Sequence, residues 1–252
     1  MFAHLKNRAL LRISGSDAKT FLQAQLSNDI DKLDTSSVQI NAYCQHQGKI
    51  LALFWVIKYE DSFFLSYPLD LLETIKSRLQ MFIIMSDVAI EDVTKEYIQV
   101  GSVGGTNQKA LVINDKLSLI IADKEDINKF NMESIKHWNM ACIDSSLPEI
   151  FSITSEKLVP QMLNLDLNEF GVNFSKGCYP GQEVVARLHY LGSAKRRLFS
   201  FEVGSDVQVG DSLYCASSRS AKARGARYKS SGMVVFKLKY NSNFYCLATL
   251  DV

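Results

Sequence analysis

The segment at residues 176–183, Lys-Gly-Cys-Tyr-Pro-Gly-Gln-Glu, constrains the fold of this chain more than any other segment. It places Cys178 directly before a predicted helix. The residues that follow form one apolar stripe at i, i+4 and i+7, namely Val184, Leu188 and Leu191. Pro180 suits the first helical position, where its missing N–H costs no hydrogen bond. We therefore expect a helix that begins at Pro180, two residues after the cysteine.

Cys178 has the sequence environment of a reactive cysteine. The positive end of the predicted helix and the ammonium of Lys176, two residues away, would both stabilise a thiolate. The alternative interpretation is a buried free cysteine at a tight glycine-containing turn. Residue chemistry alone leaves these two interpretations about equal.

The run KGCYPGQEVVAR, residues 176–187, resembles the signature of the YgfZ-type folate-binding proteins, which are relatives of the glycine-cleavage aminomethyltransferase. Further segments on both sides of this run are similar to the same family: ISGSDA at 13–18, FLQAQ at 21–25, PQMLNLD at 160–166, GVNF at 171–174 and KRR at 195–197. The resemblance covers residues from about 9 to 200.

The resemblance implies an α+β fold, with ferredoxin-like antiparallel lobes of the aminomethyltransferase folate-binding type and a C-terminal β-barrel module around a central channel. We place an N-terminal lobe at residues 1–92, a second lobe with the cysteine motif at 93–194 and the β module at 195–252. The family also suggests that the lobes are interleaved along the chain. The order of strands and helices, with antiparallel hairpins, independently favours α+β over a doubly wound sheet.

Hydrophobic periodicity predicts the individual elements. Strands are expected near residues 9–13, 38–44, 49–57, 62–67, 87–92, 96–103, 109–113, 117–122, 198–203, 212–214, 232–240 and 244–250. Helices are expected after a capping Asp17, at 69–81 and at 124–140. Residues 144–180 are predicted to be rich in loops, with one helical turn near 161–163.

The resemblance implies tetrahydrofolate as a bound cofactor. Trp138 precedes the segment Leu-Pro-Glu-Ile in the way that a folate-contacting tryptophan does in the family, although by itself it would be interpreted as a core anchor. The family's other aromatic contact falls at Arg8, whose guanidinium stacks on flat rings but does not replace an indole in packing. Tyr179, Gln182 and Glu183 belong to the family motif and are further candidates for the cofactor site.

Composition favours a cytoplasmic protein with no membrane segment. The chain has 252 residues, ordinary hydrophobic and charged fractions, and no apolar run long enough to cross a bilayer. Five scattered cysteines, at positions 44, 142, 178, 215 and 246, fit a reducing compartment. Their spacing predicts no metal site in this chain.

Basic charge is concentrated near the C-terminus. Residues 195–252 carry ten basic and four acidic side chains, a net charge of +6, whereas residues 1–194 carry a net charge of −5. The positive charge peaks at residues 195–197 and in a second cluster formed by Arg219, Lys222, Arg224, Arg227 and Lys229. Such a surface attracts RNA or an acidic protein, but a solvated charged face is the favoured interpretation because aromatic residues are sparse there.

The leading hypothesis is a folate-binding accessory protein for iron–sulfur protein maturation or repair, which affects tRNA modification. Its partners would be iron–sulfur proteins or their assembly factors. In this hypothesis Cys178 is a reactive thiolate and Lys176 tunes it. The alternatives are a tetrahydrofolate-dependent aminomethyl or one-carbon transferase, and an RNA- or protein-binding module that uses the basic C-terminal part. An accessory factor is favoured over a turnover enzyme.

Overall fold

A computed structural model describes residues 1–104, 110–214 and 230–252. The predicted basic cluster at 219–229 and Cys215 lie outside these described residues. The described strands are β1 Phe2–His4, β2 Arg8–Ser14, β3 Gln39–Cys44, β4 Ile50–Tyr59, β5 Ser62–Pro68, β6 Ala89–Asp92, β7 Tyr97–Val103, β8 Leu111–Val112, β9 Leu117–Asp123, β10 Arg196–Val203, β11 Ser212–Tyr214, β12 Ser230–Tyr240 and β13 Asn243–Asp251. The described α-helices are α1 Ala18–Gln25, α2 Leu72–Gln80, α3 Ile135–Asp144 and α4 Gln182–Leu191.

The first sheet has the strand order β3-β4-β5-β2-β6, and every neighbouring pair in it is antiparallel. β4 is buried along almost its whole length, because both faces of the sheet are covered. The buried residues of α1 and α2 belong to the same hydrophobic core. Asp17 lies at the N-cap of α1 as predicted, but its carboxylate accepts a hydrogen bond from the N–H of Asp87 and not from the helix.

The second sheet has the order β1-β7-β9-β8 and is also antiparallel. Its edge strand β1 comes from the extreme N-terminus and pairs with β7 about a hundred residues later in the chain. The chain therefore leaves this sheet after β1, builds the first sheet, and returns. The lobe boundaries at residues 92 and 194 stay a prediction.

The third sheet has the order β10-β13-β12-β11, with antiparallel neighbours throughout. α3 packs against strands of both the second and the third sheet. This position fixes the side chains of α3 between two sheets.

The strands predicted near residues 198–203, 212–214, 232–240 and 244–250 are confirmed for the described residues, as β10, β11, β12 and β13.

The predicted helix at 124–140 is wrong. A 3₁₀ helix occupies Lys124–Lys129, the chain then extends, and α3 begins only after Ser134, whose hydroxyl accepts a hydrogen bond from the N–H of Lys136. The break has a tertiary cause, because Met132 forms a bridge with Phe2 and the N–H of Glu133 donates to the carbonyl of Phe2. Pairing with β1 outweighs the local helical periodicity.

The stretch between α3 and α4 is mostly irregular, as predicted, with a 3₁₀ turn at Pro160–Leu163. Polar contacts nevertheless fix it. The hydroxyl of Ser27 donates to the carbonyl of Gly171 at 2.6 Å, and a guanidinium nitrogen of Arg197 lies 3.0 Å from a carboxylate oxygen of Asp166. Among the described residues, no helix is long and apolar enough to cross a membrane.

Candidate functional site

A cavity of about 530 Å³ is the candidate ligand site. Its walls come from residues 4–8, from the region around α3, from the segment at 147–151 and from Phe236 of β12. Apolar side chains form most of the wall, and a few polar groups converge on it. This size and this lining are typical of sites for small organic ligands.

Trp138 forms part of the cavity wall and is itself an anchor of the core. Its side chain is 3% exposed, and its ring meets the ring of Trp55 edge-on at 6.3 Å. The indole also lies against the backbone of β7, where a Cβ on Gly101 would be 2.4 Å from a ring carbon. The position of Trp138 is therefore compatible with both predicted roles, that of a ligand contact in the cavity wall and that of a core anchor.

Arg8 lines the same cavity, but its guanidinium is already engaged by the protein. It stacks over the ring of Trp55 at 3.5 Å, and its Nε donates to the hydroxyl of Ser66 at 2.7 Å. A second nitrogen donates to the carbonyl of Ser66 at 3.0 Å, and a third forms a buried ion pair with Glu149. One face of the Arg8 guanidinium therefore stacks on an internal indole and is not open to a ligand.

Sequence reasoning missed Glu149 as a site residue. Its side chain lines the cavity, is buried, and uses one carboxylate oxygen, Oε1, for the ion pair with Arg8. The other oxygen, Oε2, has no hydrogen-bond partner among the described residues. Burial raises the pKa of Glu149, and the charge of Arg8 opposes that shift. The sequence did contain an indication of this residue, because a single acidic side chain stands within the apolar segment Leu-Pro-Glu-Ile-Phe at 147–151, where a charged group is unusual.

The cysteine loop, residues 176–181, lies apart from this lining. Cys178 is exposed and free, which excludes the interpretation of a buried structural cysteine. None of the cavity-lining residues belongs to residues 176–183, so the described structure does not bring Trp138 and Arg8 together with Cys178, Lys176, Tyr179, Gln182 or Glu183 in one pocket.

A tight turn ends the cysteine loop. The N–H of Gln182 donates to the carbonyl of Tyr179, and Gly181 has φ 82° and ψ 0°, which is the geometry of a type II turn with proline at its second position. Pro180 is therefore a turn residue, and α4 begins two residues later than predicted. Gln182 and Glu183 occupy the first turn of α4, where Glu183 is exposed.

The loop is held against the β3–β4 hairpin by close backbone contact. A Cβ on Gly181 would lie 2.4 Å from the carbonyl oxygen of Gln45, and one on Gly48 would lie 3.1 Å from the Cβ of Val184. Only glycine permits this approach together with the positive φ angles of both residues.

The predicted apolar stripe of α4 is only partly buried. Val184 and Leu188 are half-buried, Leu191 is 84% exposed, and the buried residue of the helix is Val185. At the C-terminal end of α4 the ring of His189 stacks on that of Phe174 at 3.8 Å. The helix therefore turns a different face to the core than its periodicity indicates.

Lys176 is buried, and its ammonium is bound by main-chain oxygens. It donates to the carbonyls of Gln23, Leu26 and Asn28. Its three N–H groups thus have partners, and none is left to bind the sulfur of Cys178. Burial lowers the pKa of Lys176 to about 8. Tyr179 covers it, with the ammonium 5.4 Å from the ring centroid, and burial raises the pKa of that phenol.

Two other features bear on the remaining predictions. Within the described ranges, no group of three or more histidine, cysteine or acidic residues is placed to hold a metal ion.

In the basic segment at 195–197, Arg196 pairs with Asp251 at 2.8 Å and Arg197 pairs with Asp166. These two cations serve internal contacts, which reduces the positive charge available for RNA.

A second cleft, of about 670 Å³, lies beside the N-terminus of α1. Its wall is mostly polar, and two of its cations are already paired, Arg12 with Glu91 and Lys19 with Asp31. Phe63 is among its lining residues, but the cavity at Trp138 has the larger apolar wall and is the better candidate for a flat ring.

Comparison with known proteins finds relatives along most of the chain. An uncharacterized protein of Haemophilus influenzae is 31% identical over 222 residues, which cover 82% of this chain and 78% of the relative. The tRNA-modifying protein YgfZ of Colwellia psychrerythraea is 28% identical over 75% of this chain and 67% of its own length. The tRNA-modifying protein YgfZ of Aliivibrio fischeri strain ES114 is 25% identical over 94% of this chain and 80% of its own length.

Among solved structures, the crystal structure of glycine cleavage system aminomethyltransferase T from Bartonella henselae matches with a TM-score of 0.71. The match covers 99% of this chain and 78% of that chain at 10% identity. It shows a shared aminomethyltransferase-like fold, mixed α/β with antiparallel sheets. No family model matches the chain.

Proposed function

Because the chain belongs to the YgfZ family of tRNA-modifying proteins, we propose that it binds a reduced folate and acts as an accessory protein in tRNA modification. Its clients would be iron–sulfur proteins, including cluster-dependent tRNA-modifying enzymes, or the factors that assemble their clusters. The resemblance of the cysteine motif to folate-binding proteins and the aminomethyltransferase-like fold both support this proposal.

The observation that carries the folate proposal is that Trp138 and Arg8, the two positions selected from the sequence, line one cavity of suitable size. In the proposal, the pterin lies against the indole of Trp138 and the folate tail points towards the mouth of the cavity. Exposed Lys6 lines this cavity and offers positive charge to the carboxylates of the tail.

Cys178 is the proposed reactive group for the client proteins. Its thiol is exposed on a loop that a buried lysine and two close glycine contacts hold in place. Such a rigid, accessible thiol is suited to contact with a partner protein. Tyr179, Gln182 and Glu183 would shape this loop in the proposal, since none of them lines the cavity.

The finer architecture belongs to the same proposal. Ferredoxin-like lobes, closure of the third sheet into a barrel and a central channel between the lobes follow from the family resemblance. A cytoplasmic location follows from the same resemblance and from the cysteine usage.

One-carbon transfer is the second candidate, and the aminomethyltransferase-like fold favours it. Purified protein supplied with tetrahydrofolate and an aminomethyl or N-methyl donor would then form methylenetetrahydrofolate. The RNA-binding alternative has less support, because Arg196 and Arg197 are engaged in ion pairs.

Fluorescence titration tests the folate proposal, because the chain has only two tryptophans. Tetrahydrofolate should quench the native protein saturably. The quenching should be lost in Trp138→Phe, which keeps Trp55, and retained in Trp55→Phe, which keeps Trp138. Calorimetry on both variants separates loss of the signal from loss of binding. If the native protein shows no saturable binding by either method, the folate proposal is wrong.

Complementation in a host strain that lacks the native gene tests the role of Cys178. Cys178→Ala should reduce the activity of cluster-dependent tRNA-modifying enzymes, whereas Ser175→Ala, an exposed neighbour in the same region, should leave it unchanged. Full activity of Cys178→Ala at normal protein abundance would remove the thiol from the proposal.

A further inference from the structure

We propose that the C-terminal end of α4 is a binding site for an unpaired nucleotide of RNA. The base stacks on the exposed rings of His189 and Tyr190, and the phosphates on either side of it contact Arg187 and Lys195. None of these four residues lines the candidate cavity, so the site is separate from the folate site and needs no folate.

Three aromatic rings meet at this end of the helix. The imidazole of His189 stacks on the half-buried ring of Phe174, with 3.8 Å between centroids and 16° between the two planes. The ring of Tyr190 stands at 82° to that imidazole, at a centroid distance of 4.8 Å. His189 is exposed, and Tyr190 is 66% exposed. Phe174 therefore supports two exposed rings at nearly a right angle, a corner that suits a flat base.

These rings are part of a larger apolar end of α4. The next residue, Leu191, is 84% exposed. Single exposed apolar side chains are normal on a protein surface, but several in contact mark a surface that binds something. A ligand with an apolar or aromatic face is therefore favoured here.

The charge around the rings is positive. Residues 184–201 contain no acidic side chain. Arg187 and Lys195 are exposed, and neither forms an ion pair within the described part of the chain. Arg187 lies one helical turn before the exposed tyrosine, on the same side of α4. The neighbouring Arg196 and Arg197 are paired and take no part. Free cations beside exposed rings are typical of sites for single-stranded nucleic acid.

The size of the cluster favours a nucleotide over a folded protein partner. Its two exposed rings offer at most about 400 Å², at about 200 Å² for each ring. A stable protein interface buries about 800 Å² on each partner, whereas one base is covered by one or two rings. The choice of RNA over DNA rests on the role in tRNA modification proposed above.

Fluorescence anisotropy tests this site with a labelled single-stranded RNA of about eight nucleotides, a length that such sites cover. The RNA duplex of the same length and the DNA strand of the same sequence are the comparison ligands. Tyr190→Phe keeps the ring, and Tyr190→Leu removes it at an exposed position where folding is not at risk. Lys195→Gln removes one cation, and Lys116→Gln is its matched control, because Lys116 is an exposed lysine between β8 and β9.

The native protein and Tyr190→Phe should bind the single strand equally, and at least about fivefold more tightly than the duplex. Tyr190→Leu should weaken the binding at least about fivefold, as expected for the loss of one stacked base. Lys195→Gln should reduce the slope of log affinity against log salt by about 0.7, and Lys116→Gln should leave the slope unchanged.

Absence of binding at low salt, equal affinities for single strand and duplex, or an unchanged affinity in Tyr190→Leu would overturn the site. Tighter binding of the DNA strand would overturn RNA as its ligand. If Tyr190→Leu lowers tRNA modification in the complemented strain but keeps its affinity for RNA, the surface contacts a client protein and the inference is wrong. Each of these results leaves the proposed function standing, because Cys178→Ala and the folate titration test it separately.

Discussion

The ammonium nitrogen of Lys176 lies 2.9 Å from the main-chain oxygen of Asn28, although the two residues are 148 positions apart in sequence. The same ammonium binds the carbonyls of Gln23 and Leu26, at the end of α1. Carbonyls at a helix C-terminus lack helical partners and carry partial negative charge, so a cation is favoured there. One buried charge thus joins the cysteine loop to the first helix.

Replacing Lys176 with methionine should destabilise the protein and loosen the cysteine loop. The variant leaves three carbonyl oxygens without their donor, and we expect a loss of about 1–3 kcal/mol in the free energy of unfolding. Urea unfolding measures this loss. Faster amide hydrogen exchange across residues 176–181 would show that the cysteine loop has loosened. Lys32→Met is the control, because the ion pair of Lys32 with Glu169 is exposed and should contribute less than about 1 kcal/mol. Equal effects of the two variants would contradict the anchoring role.

The stability conferred by Lys176 should depend on pH. Burial lowers its pKa to about 8 in the folded protein, with Asp29 and Asp31 partly opposing the shift, whereas an unfolded lysine titrates near about 10.4. Between these values the unfolded state binds more protons than the folded state, so the free energy of unfolding should rise with pH. Below about pH 8 both states are protonated, and the contribution is constant.

Unfolding free energies measured from pH 7 to pH 10 check this sign. The difference between the native protein and Lys176→Met should move in favour of the native protein above about pH 8. A difference that stays constant over the whole range, or that falls, would show that the folded pKa of Lys176 is not lowered.

Gly181→Ala should be strongly destabilising. The new Cβ would meet the carbonyl oxygen of Gln45 at 2.4 Å, at a residue whose φ is +82°. Strain and clash together should cost about 2 kcal/mol or more. Gly177→Ala is a matched control in the same loop, since nothing lies within 4 Å of a Cβ there, and it should change stability by less than about 1 kcal/mol. Thermal unfolding measures both, and alkylation of Cys178 shows whether its access has changed. Equal stability of the two variants would refute the close contact with the hairpin.

Most strands and three of the helices follow from local sequence, because their hydrophobic periodicity and turn residues act over a few positions. The prediction of a helix at 124–140 failed for a non-local reason, since Met132 and Glu133 pair with the N-terminal strand. Pro180 was misplaced because a type II turn and a helix start favour the same residue types.

The candidate cavity was only partly predictable. Trp138 and Arg8 were selected through the resemblance, but no spacing along the chain indicates that Arg8 meets Glu149, 141 residues later. A buried ion pair reveals itself only when the tertiary structure brings its two members together. Likewise, Lys176 looked like a neighbour of Cys178 in sequence, whereas its ammonium is bound to the end of α1.

The buried pair of Arg8 and Glu149 should be strongly coupled. Arg8→Met leaves the carboxylate of Glu149 buried without its partner, and Glu149→Met does the same to the guanidinium. Removing one member of such a pair costs about 3–5 kcal/mol, while removing both often costs much less. The double variant should therefore be less destabilised than the sum of the two single variants, and less than either one alone. Urea unfolding of the four proteins gives the coupling energy. Additive losses would mean that the two charges are screened from each other, and that Arg8 does not hold Glu149 in position.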